Sequence, residues 1–231
     1  MTNEIINGVE ILIEPTEKYI QINDATEDDL RGLWPKVLER YSGHNAMLCF
    51  RNTVTPVQFM DEIGAKLLDD SLEMRLNLED FESFLKAVIA DVGVAESALA
   101  SVSVVGVTPI TSENFDIFAT HHDKTIPDMY WNSRRILEKI DLWRIFACFE
   151  GESITDYAML MQPASEIFCC ISKDTDRAKA ILAAAAQEAF VSGAEELLYM
   201  IDKSEEICKN AASALGFRLC GYYQGFNVRI S

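Results

Sequence analysis

Lys173, Arg177 and Lys179 crowd the start of a segment that reads as helix, and they share it with Asp174, Thr175 and Asp176. A helix N-terminus presents free backbone N–H groups and the positive end of the dipole, so acids suit it and cations do not. Three cations at such a start make sense with an anion held among them, and a phosphate is the usual one. The other reading is that Arg177 and Lys179 pair with nearby acids on a solvated face. An earlier helix opens on Thr26-Glu27-Asp28-Asp29. Those acids satisfy the dipole themselves and repel phosphate, so only the later start is an anion-site candidate.

Other residues carry proton chemistry. His121 and His122 fall in a polar stretch, HHDKTIPD, read as a loop. One of them suits a general base near neutral pH; the alternative is a pair of exposed loop histidines. Tyr130 and Trp131 follow and suit the wall of a pocket for an apolar or cationic group, or core packing. Cys169 and Cys170 are adjacent in an apolar strand and point to opposite faces, which fits packing better than nucleophilic work. The six cysteines show no metal-ligand spacing, so free buried thiols in a reducing, cytoplasmic setting are expected.

The elements that position these residues follow from pattern. Ile167 to Ser172 reads as a buried strand, Ala178 to Phe190 as an alanine-rich helix ended by Gly193, and Leu197 to Ile201 as a second strand. Ser204 caps a further helix that Gly216 closes, and two strands, Arg218 to Tyr223 and Phe226 to Ile230, finish the chain around Gln224–Gly225. Earlier, Val9 to Glu14 and Tyr19 to Ile22 read as strands. A helix follows in which Pro35 predicts a kink or a late start. Ala46 to Arg51 is a strand, Thr55–Pro56 starts a helix closed by Gly64, and Leu72 to Leu76 is a strand. Phe81, Phe84, Leu85, Val88 and Ile89 have helical spacing. Ala98 to Ile110 reads as a strand region, Thr111–Ser112 as a cap, and Met129 to Ile140 as a helix. Trp143 to Phe149 and Ile154 to Met161 read as strands turned at Glu150-Gly151-Glu152.

The order repeats. Glu14–Pro15 answers Gln162–Pro163, Gly43 answers Gly193, and Gly64-Ala65-Lys66-Leu67 answers Gly216-Phe217-Arg218-Leu219. Pro15, Gly43 and Gly64 are spaced by 28 and 21 residues, and Pro163, Gly193 and Gly216 by 30 and 23. A duplicated β-β-α-β-α-β unit is expected. The boundaries expected are a partial N-terminal unit at 1–78, a helical linker at 79–97 and a complete domain at 98–231.

The chain of 231 residues carries 20 basic and 37 acidic side chains, a net charge of −17. Such a surface repels nucleic acid and anionic membrane and favours cationic small molecules or basic proteins; the plain alternative is a solvated surface that serves solubility. The longest apolar zone, Ala87 to Val107, is broken by Asp91 and Glu96 and does not span a membrane.

From Ser101 to Ile230 the order β-α-α-β-β-β-α-β-α-β-β resembles the GNAT superfamily of N-acyltransferases, which move an acyl group from acyl-CoA to an amine. The resemblance implies an α+β fold, a mixed sheet flanked by helices, here in a tandem arrangement with a truncated first copy. It implies that the strand before the long helix splays from the next one, that pantetheine lies in the gap, and that the pyrophosphate rests on the helix start. Arg177-Ala178-Lys179-Ala180-Ile181-Leu182 lies where the family carries Arg/Gln-x-x-Gly-x-Gly/Ala, with every glycine of an RGKGIG sequence replaced. The implied cofactor is acetyl-CoA or another acyl-CoA, held by Ile171, Ser172, Arg177, Ala178, Lys179, Ala180 and Asp202. Asp202 stands for the Asn of the family's second landmark, Ala214-Leu215-Gly216-Phe217 keeps its end, and Ala212 stands where the family often has an acidic Tyr. Tyr199, Tyr222 or Tyr223 is then the substitute acid; Tyr222 is the choice here, with Glu166 as a base acting through water. Thr120 to Arg135 is the implied acceptor wall, with His121, His122, Tyr130 and Trp131 facing a small-molecule or peptide amine. Arg218 to Tyr223 could pair across a homodimer. The alternative is a relative without catalysis that binds acyl-CoA or serves as an interaction module.

Overall fold

The computed structural model describes residues 2–92, 106–127 and 129–231. The chain forms two compact units: Met1–Leu72 together with Gly221–Ser231, and Glu73–Cys220.

In the first unit the strand order is β1 (Thr2–Ile6), β2 (Val9–Glu14), β3 (Tyr19–Asn23), β4 (Asn45–Arg51) and then β11 (Arg218–Arg229), whose residues from Gly221 onward belong here. β3 and β4 are parallel; the other neighbours are antiparallel. Helix α1 (Glu27–Arg40) crosses between them and buries Leu30, Leu33, Trp34 and Val37 against Ile11, Ile20, Ile22 and Leu48. Its start is the expected acidic one: Thr26 accepts from the Asp29 N–H, and Asp29 returns a bond to the Thr26 N–H. Pro35 sits inside α1 without ending it. It lies on the exposed face, where the carbonyl that its missing N–H leaves free can turn to solvent.

In the second unit the order is β10 (Glu196–Asp202), β9 (Glu166–Ile171), β8 (Ser153–Met161), β7 (Trp143–Glu150) and β6 (Val107–Pro109). Only β9 and β10 are parallel. Helix α6 (Thr175–Val191) lies on one face, against β7 and β8, with Ala178, Ile181, Leu182, Ala185, Ala186 and Ala189 buried. The small alanines let the helix approach the sheet closely. The other face is covered by α4 (Phe115–Thr125) and α5 (Ser133–Glu138), over a core of Phe115, Phe118, Ile136, Trp143, Ile145, Tyr157 and Met159.

The repeat expected from spacing recurs in local geometry. A 3-10 turn joins β2 to β3 at Pro15–Glu17 and β8 to β9 at Gln162–Ala164. Lys18 and Ser165 end these turns in the left-handed region, at φ 48° in both. Each then gives its carbonyl to the parallel strand, to Asn45 N–H and to Leu198 N–H, both at 2.9 Å. Helix α2 (Val57–Ile63) ends on Gly64, and α7 (Glu206–Ala214) is followed by Gly216, both glycines at positive φ.

Several expectations are corrected. HHDKT is the end of α4, because Phe115, Phe118 and His122 form one buried stripe that carries the helix through them. Of Met129 to Ile140, only Ser133–Glu138 is α-helix, capped by Asn132. Ser204 is not the cap of α7. It donates to Asp202, and Glu205 holds the cap position. The final two strands are one, β11, because Gly225 is not a turn. It is extended, and a Cβ there would lie 2.5 Å from Met47 Cε on β4. The strand expected at Leu72 to Leu76 is the longer β5 (Lys66–Asn77), and α3 (Leu78–Val92) runs into the linker expected at 79–97. Residues 93–105, with most of the strand region expected from Ala98, lie outside the described residues.

Residues Tyr223–Arg229 pair with all of β4, and Phe226, Val228 and Ile230 sit in the core of the first unit. Burial of each such side chain contributes about 1.5–3 kcal/mol, and the three together are comparable to the whole stability of a small domain. A chain ending at Cys220 is therefore expected to lose the folded first unit. Limited proteolysis would show it as rapid cleavage within residues 2–72.

Candidate active site

The second unit holds a gap that the first lacks. β3 and β4 are paired at five successive positions, Tyr19↔Asn45 to Asn23↔Cys49, and Asp24 extends the seam by donating its N–H to the Cys49 carbonyl at 2.8 Å. The Asp24 carboxylate also accepts from Arg51 N–H at 2.6 Å. β9 and β10 pair only at Glu166↔Leu198 and Ile167↔Tyr199 and then part. The parting begins at a bulge. Against β8, Met159 faces Cys169 and Leu160 faces Ile167, so Phe168 is the extra residue on β9. A bulge bends its strand and raises its twist, which turns β9 away from β10. Beyond it the Cys170 carbonyl accepts the thiol of Cys208, on α7, at 3.3 Å. Cys208 and burial both push the Cys170 thiol up, and burial pushes Cys169 up to about 12, so neither is a nucleophile.

A second bulge, at Thr155 on β8, aims Asp156 at the start of α6. Asp156 is 2% exposed. It accepts from Ser172 Oγ at 2.6 Å, Thr155 Oγ1 at 2.6 Å and Arg177 Nη1 at 3.2 Å. Burial works to raise its pKa, but these bonds and the Lys173 backbone N–H outweigh burial and hold the carboxyl below the usual range. Arg177 also reaches Glu150 at 2.6 Å, its N–H donates to Asp174 Oδ1 at 2.9 Å, and Lys179 pairs with Asp176 at 3.1 Å. Thus Arg177 and Lys179 pair with the chain's own acids, as the second of the two readings open from sequence has it. Ala178 is fully buried and faces the sheet, as is Leu182. Ala180 borders a shallow depression of about 340 Å³ with Gly106, Cys148, Phe149, Asp176 and Arg177. Asp202 accepts from Ser204 and shapes the turn before α7. Ile171 ends β9, directly before Ser172.

The other candidates divide. Glu166 is half-buried at the closed end of the gap, where β9 still pairs with β10. Tyr222 and Tyr223 belong to the first unit. Tyr222 is exposed, with its backbone bound to Asn52, and Tyr223 donates to Cys49 Sγ at 2.9 Å. The structure thus does not place Tyr222 in the unit that holds the gap. Tyr199 is buried on β10, and Ala212 is buried on α7. On the other face of the second unit, both histidine rings touch Tyr157. His122 is fully buried between the Tyr157 hydroxyl, 2.7 Å from Nδ1, and the Trp131 carbonyl, 2.8 Å from Nε2. A carbonyl only accepts, so Nε2 carries the proton and Nδ1 accepts from Tyr157. His122 is therefore a clamp between α4, β8 and the segment before α5. His121 is more open; burial and the cations Lys124 and Lys173 lower its pKa. Trp131 stacks edge-on to buried Trp143, and Trp143 to Phe168 of the bulge. Tyr130 is exposed under the Arg135 guanidinium, 3.9 Å from the ring centroid. Asp156, Phe168 and Cys208 escaped sequence reasoning. Only Asp156 left a signal, as an acid inside an otherwise apolar strand. Among the described residues no group of three His, Cys, Asp or Glu could hold a metal ion, and no helix is long and apolar enough to cross a membrane.

No family model and no curated protein matches the sequence. Solved structures do match. A functionally unknown conserved protein from Staphylococcus epidermidis superposes over 96% of this chain and 90% of its own, with a TM-score of 0.61 at 10% identity. A GCN5-related N-acetyltransferase from Sphaerobacter thermophilus covers 96% of this chain and 76% of its own, at 0.61 and 12% identity. A tandem GNAT protein from the clavulanic acid biosynthesis pathway covers 96% and 78%, at 0.56 and 10% identity. The chain has the GNAT N-acetyltransferase fold.

The cofactor implied by that fold can be tested against these residues. After Ile167 the facing backbone of β9 and β10 is not paired strand to strand, which is the feature an acyl-pantetheine arm would need. The start of α6 fits a pyrophosphate poorly, since carboxylates already take the Lys173 and Arg177 N–H groups and the Arg177 guanidinium.

Two predictions follow from this geometry. Tyr157→Phe leaves His122 Nδ1 buried without a partner, which is expected to cost about 1–3 kcal/mol in urea denaturation. The depressed Asp156 pKa contributes stability that is fully present above the unfolded value, about 3.9, and is lost as pH falls through the folded one. Asp156→Asn is expected to flatten the acid limb of the stability–pH curve and to lower the plateau at neutral pH.

Proposed function

We propose that the second unit is an N-acyltransferase that accepts an acyl thioester in the gap between β9 and β10 and passes the acyl group to an amine. One observation carries this reading. Two copies of the same strand–turn–strand–helix geometry differ in that the first is zipped for five positions and the second is bulged and parted after two. Paired strands are the default, because unpaired backbone groups are costly when buried. A parted pair set by a bulge is the kind of feature found beside active sites. The first unit then serves as a truncated, non-catalytic copy. In the transfer the amine attacks the thioester carbonyl, the C–N bond forms as the C–S bond breaks, a base takes the amine proton, and the sulfur leaves as a thiolate to which that proton is returned. Glu166, at the closed end of the gap, is the base this reading uses, through water. The acceptor lies toward Trp131 and His121, and the net charge of −17 favours a cationic amine. A cytoplasmic setting fits the six free cysteines.

A second reading has a specific observation behind it. Asp156 and Asp174 occupy the helix-start donors, and Cys208 caps a carbonyl facing the parted strand. These favour a module that has lost catalysis. Titration with acetyl-CoA and with S-acetylpantetheine, followed by thiol release in the presence of diamines and lysine peptides, separates the two. Thioester binding with amine-dependent thiol release is expected. Binding without release points to the non-catalytic module, and no binding at millimolar thioester removes the acyltransferase reading.

A further inference from the structure

We infer that Asp156 is a built-in anion that fills the phosphate position at the start of α6, so that a thioester donor is recognised by its pantetheine arm and not by a nucleotide diphosphate. The second clause rests on the acyl-transfer reading; the first does not. A phosphate at a helix start needs free N–H groups, compensating cations and room for close approach. Here the Lys173 and Arg177 N–H groups and the Arg177 guanidinium are already taken. The Ser172 hydroxyl and the Lys173 N–H point to Asp156, and the Arg177 N–H points to Asp174. The Arg177 guanidinium is shared by Asp156, Glu150 and Thr155. Lys179 is held by Asp176. The four acids Glu150, Asp156, Asp174 and Asp176 outnumber the three cations Lys173, Arg177 and Lys179, so the locality is already net negative and repels a doubly charged group. Asp156 does for the loop what a bound phosphate would do. It joins the end of β9, the first residues of the loop and the first turn of α6 through one acceptor group.

The probe is sodium pyrophosphate at constant ionic strength, read on the Lys173 and Arg177 amides by ¹⁵N–¹H correlation spectra and on the melting temperature. With the native chain, neither amide is expected to shift at millimolar pyrophosphate. Asp156→Ala is expected to melt several degrees lower, and pyrophosphate is expected to recover part of that loss while moving both amides. If Asp156→Ala does not fold, Asp156→Asn, which keeps the shape and drops the charge, is read in the same way. Saturable movement of the two amides in the native chain, by pyrophosphate or by adenosine 3′,5′-bisphosphate, overturns the inference. For the donor, acetyl-CoA and S-acetylpantetheine are expected to bind within about threefold of each other. A preference for acetyl-CoA of about tenfold or more overturns the donor clause. Binding of neither thioester overturns the acyl-transfer reading, while the pyrophosphate experiment still decides the role of Asp156.

Discussion

The second unit depends on how it keeps one carboxylate out of water. Burying an ion costs several kcal/mol unless donors and an opposite charge replace the lost hydration. Asp156 meets that demand with two hydroxyls, a backbone N–H and one arm of Arg177. Each donor comes from a different place: the bulge on β8, the end of β9, the loop and the first turn of α6. The carboxylate therefore fixes their mutual placement, and the direction in which α6 leaves β9 follows from it. Arg177 is exposed, which limits the desolvation it suffers and lets Glu150 share it at the surface.

The two units show how little is needed to open or close such a gap. Both start the parallel pair in the same way, with a left-handed residue after a 3-10 turn and its carbonyl on the facing strand. In the first, nothing interrupts the alternation along β3, and Asp24 stitches the end of the seam to Arg51. In the second, one extra residue, Phe168, breaks the alternation. Pairing with β8 continues on both sides of it with the register shifted by one, whereas pairing with β10 stops before it. The extra ring is not wasted. It packs edge-on against Trp143, which anchors the bulge in the aromatic core under α4 and α5.

Much of this was readable in the residues. Turn punctuation at Pro15, Gly64, Pro163 and Gly216 located the repeat, because those positions need backbone that only certain residues adopt readily. Alanine density located α6, and its acids and cations located its start. What stayed hidden was set by partners distant in sequence. Gly225 reads as a turn, yet it is glycine because Met47 crosses it. The histidines read as a loop because polar neighbours surround them, yet His122 is buried by a carbonyl and a hydroxyl that satisfy both ring nitrogens. The competition at the helix start could be posed from sequence, as anion or internal pairing, but not settled, since the decisive acid lies on β8. Tyr222 stood near the helix motifs in sequence and belongs to the other unit in space.

The chemistry that the gap allows can be argued from its backbone. A strand freed from its neighbour offers N–H and C=O groups at strand spacing, and a partner of matching spacing can take them. A pantetheine arm, the donor under the proposed acyl transfer, has two amides on a thin chain and would pair there like a short strand. One backbone acceptor beyond the bulge, the Cys170 carbonyl, is already capped by the Cys208 thiol. A thiol is a weak donor, so an amide N–H arriving in that place exchanges a poor bond for a better one. Under the proposed acyl transfer, the donor is then selected by its amide-bearing arm, because Asp156 and Asp174 already take helix-start donors that a phosphate would use.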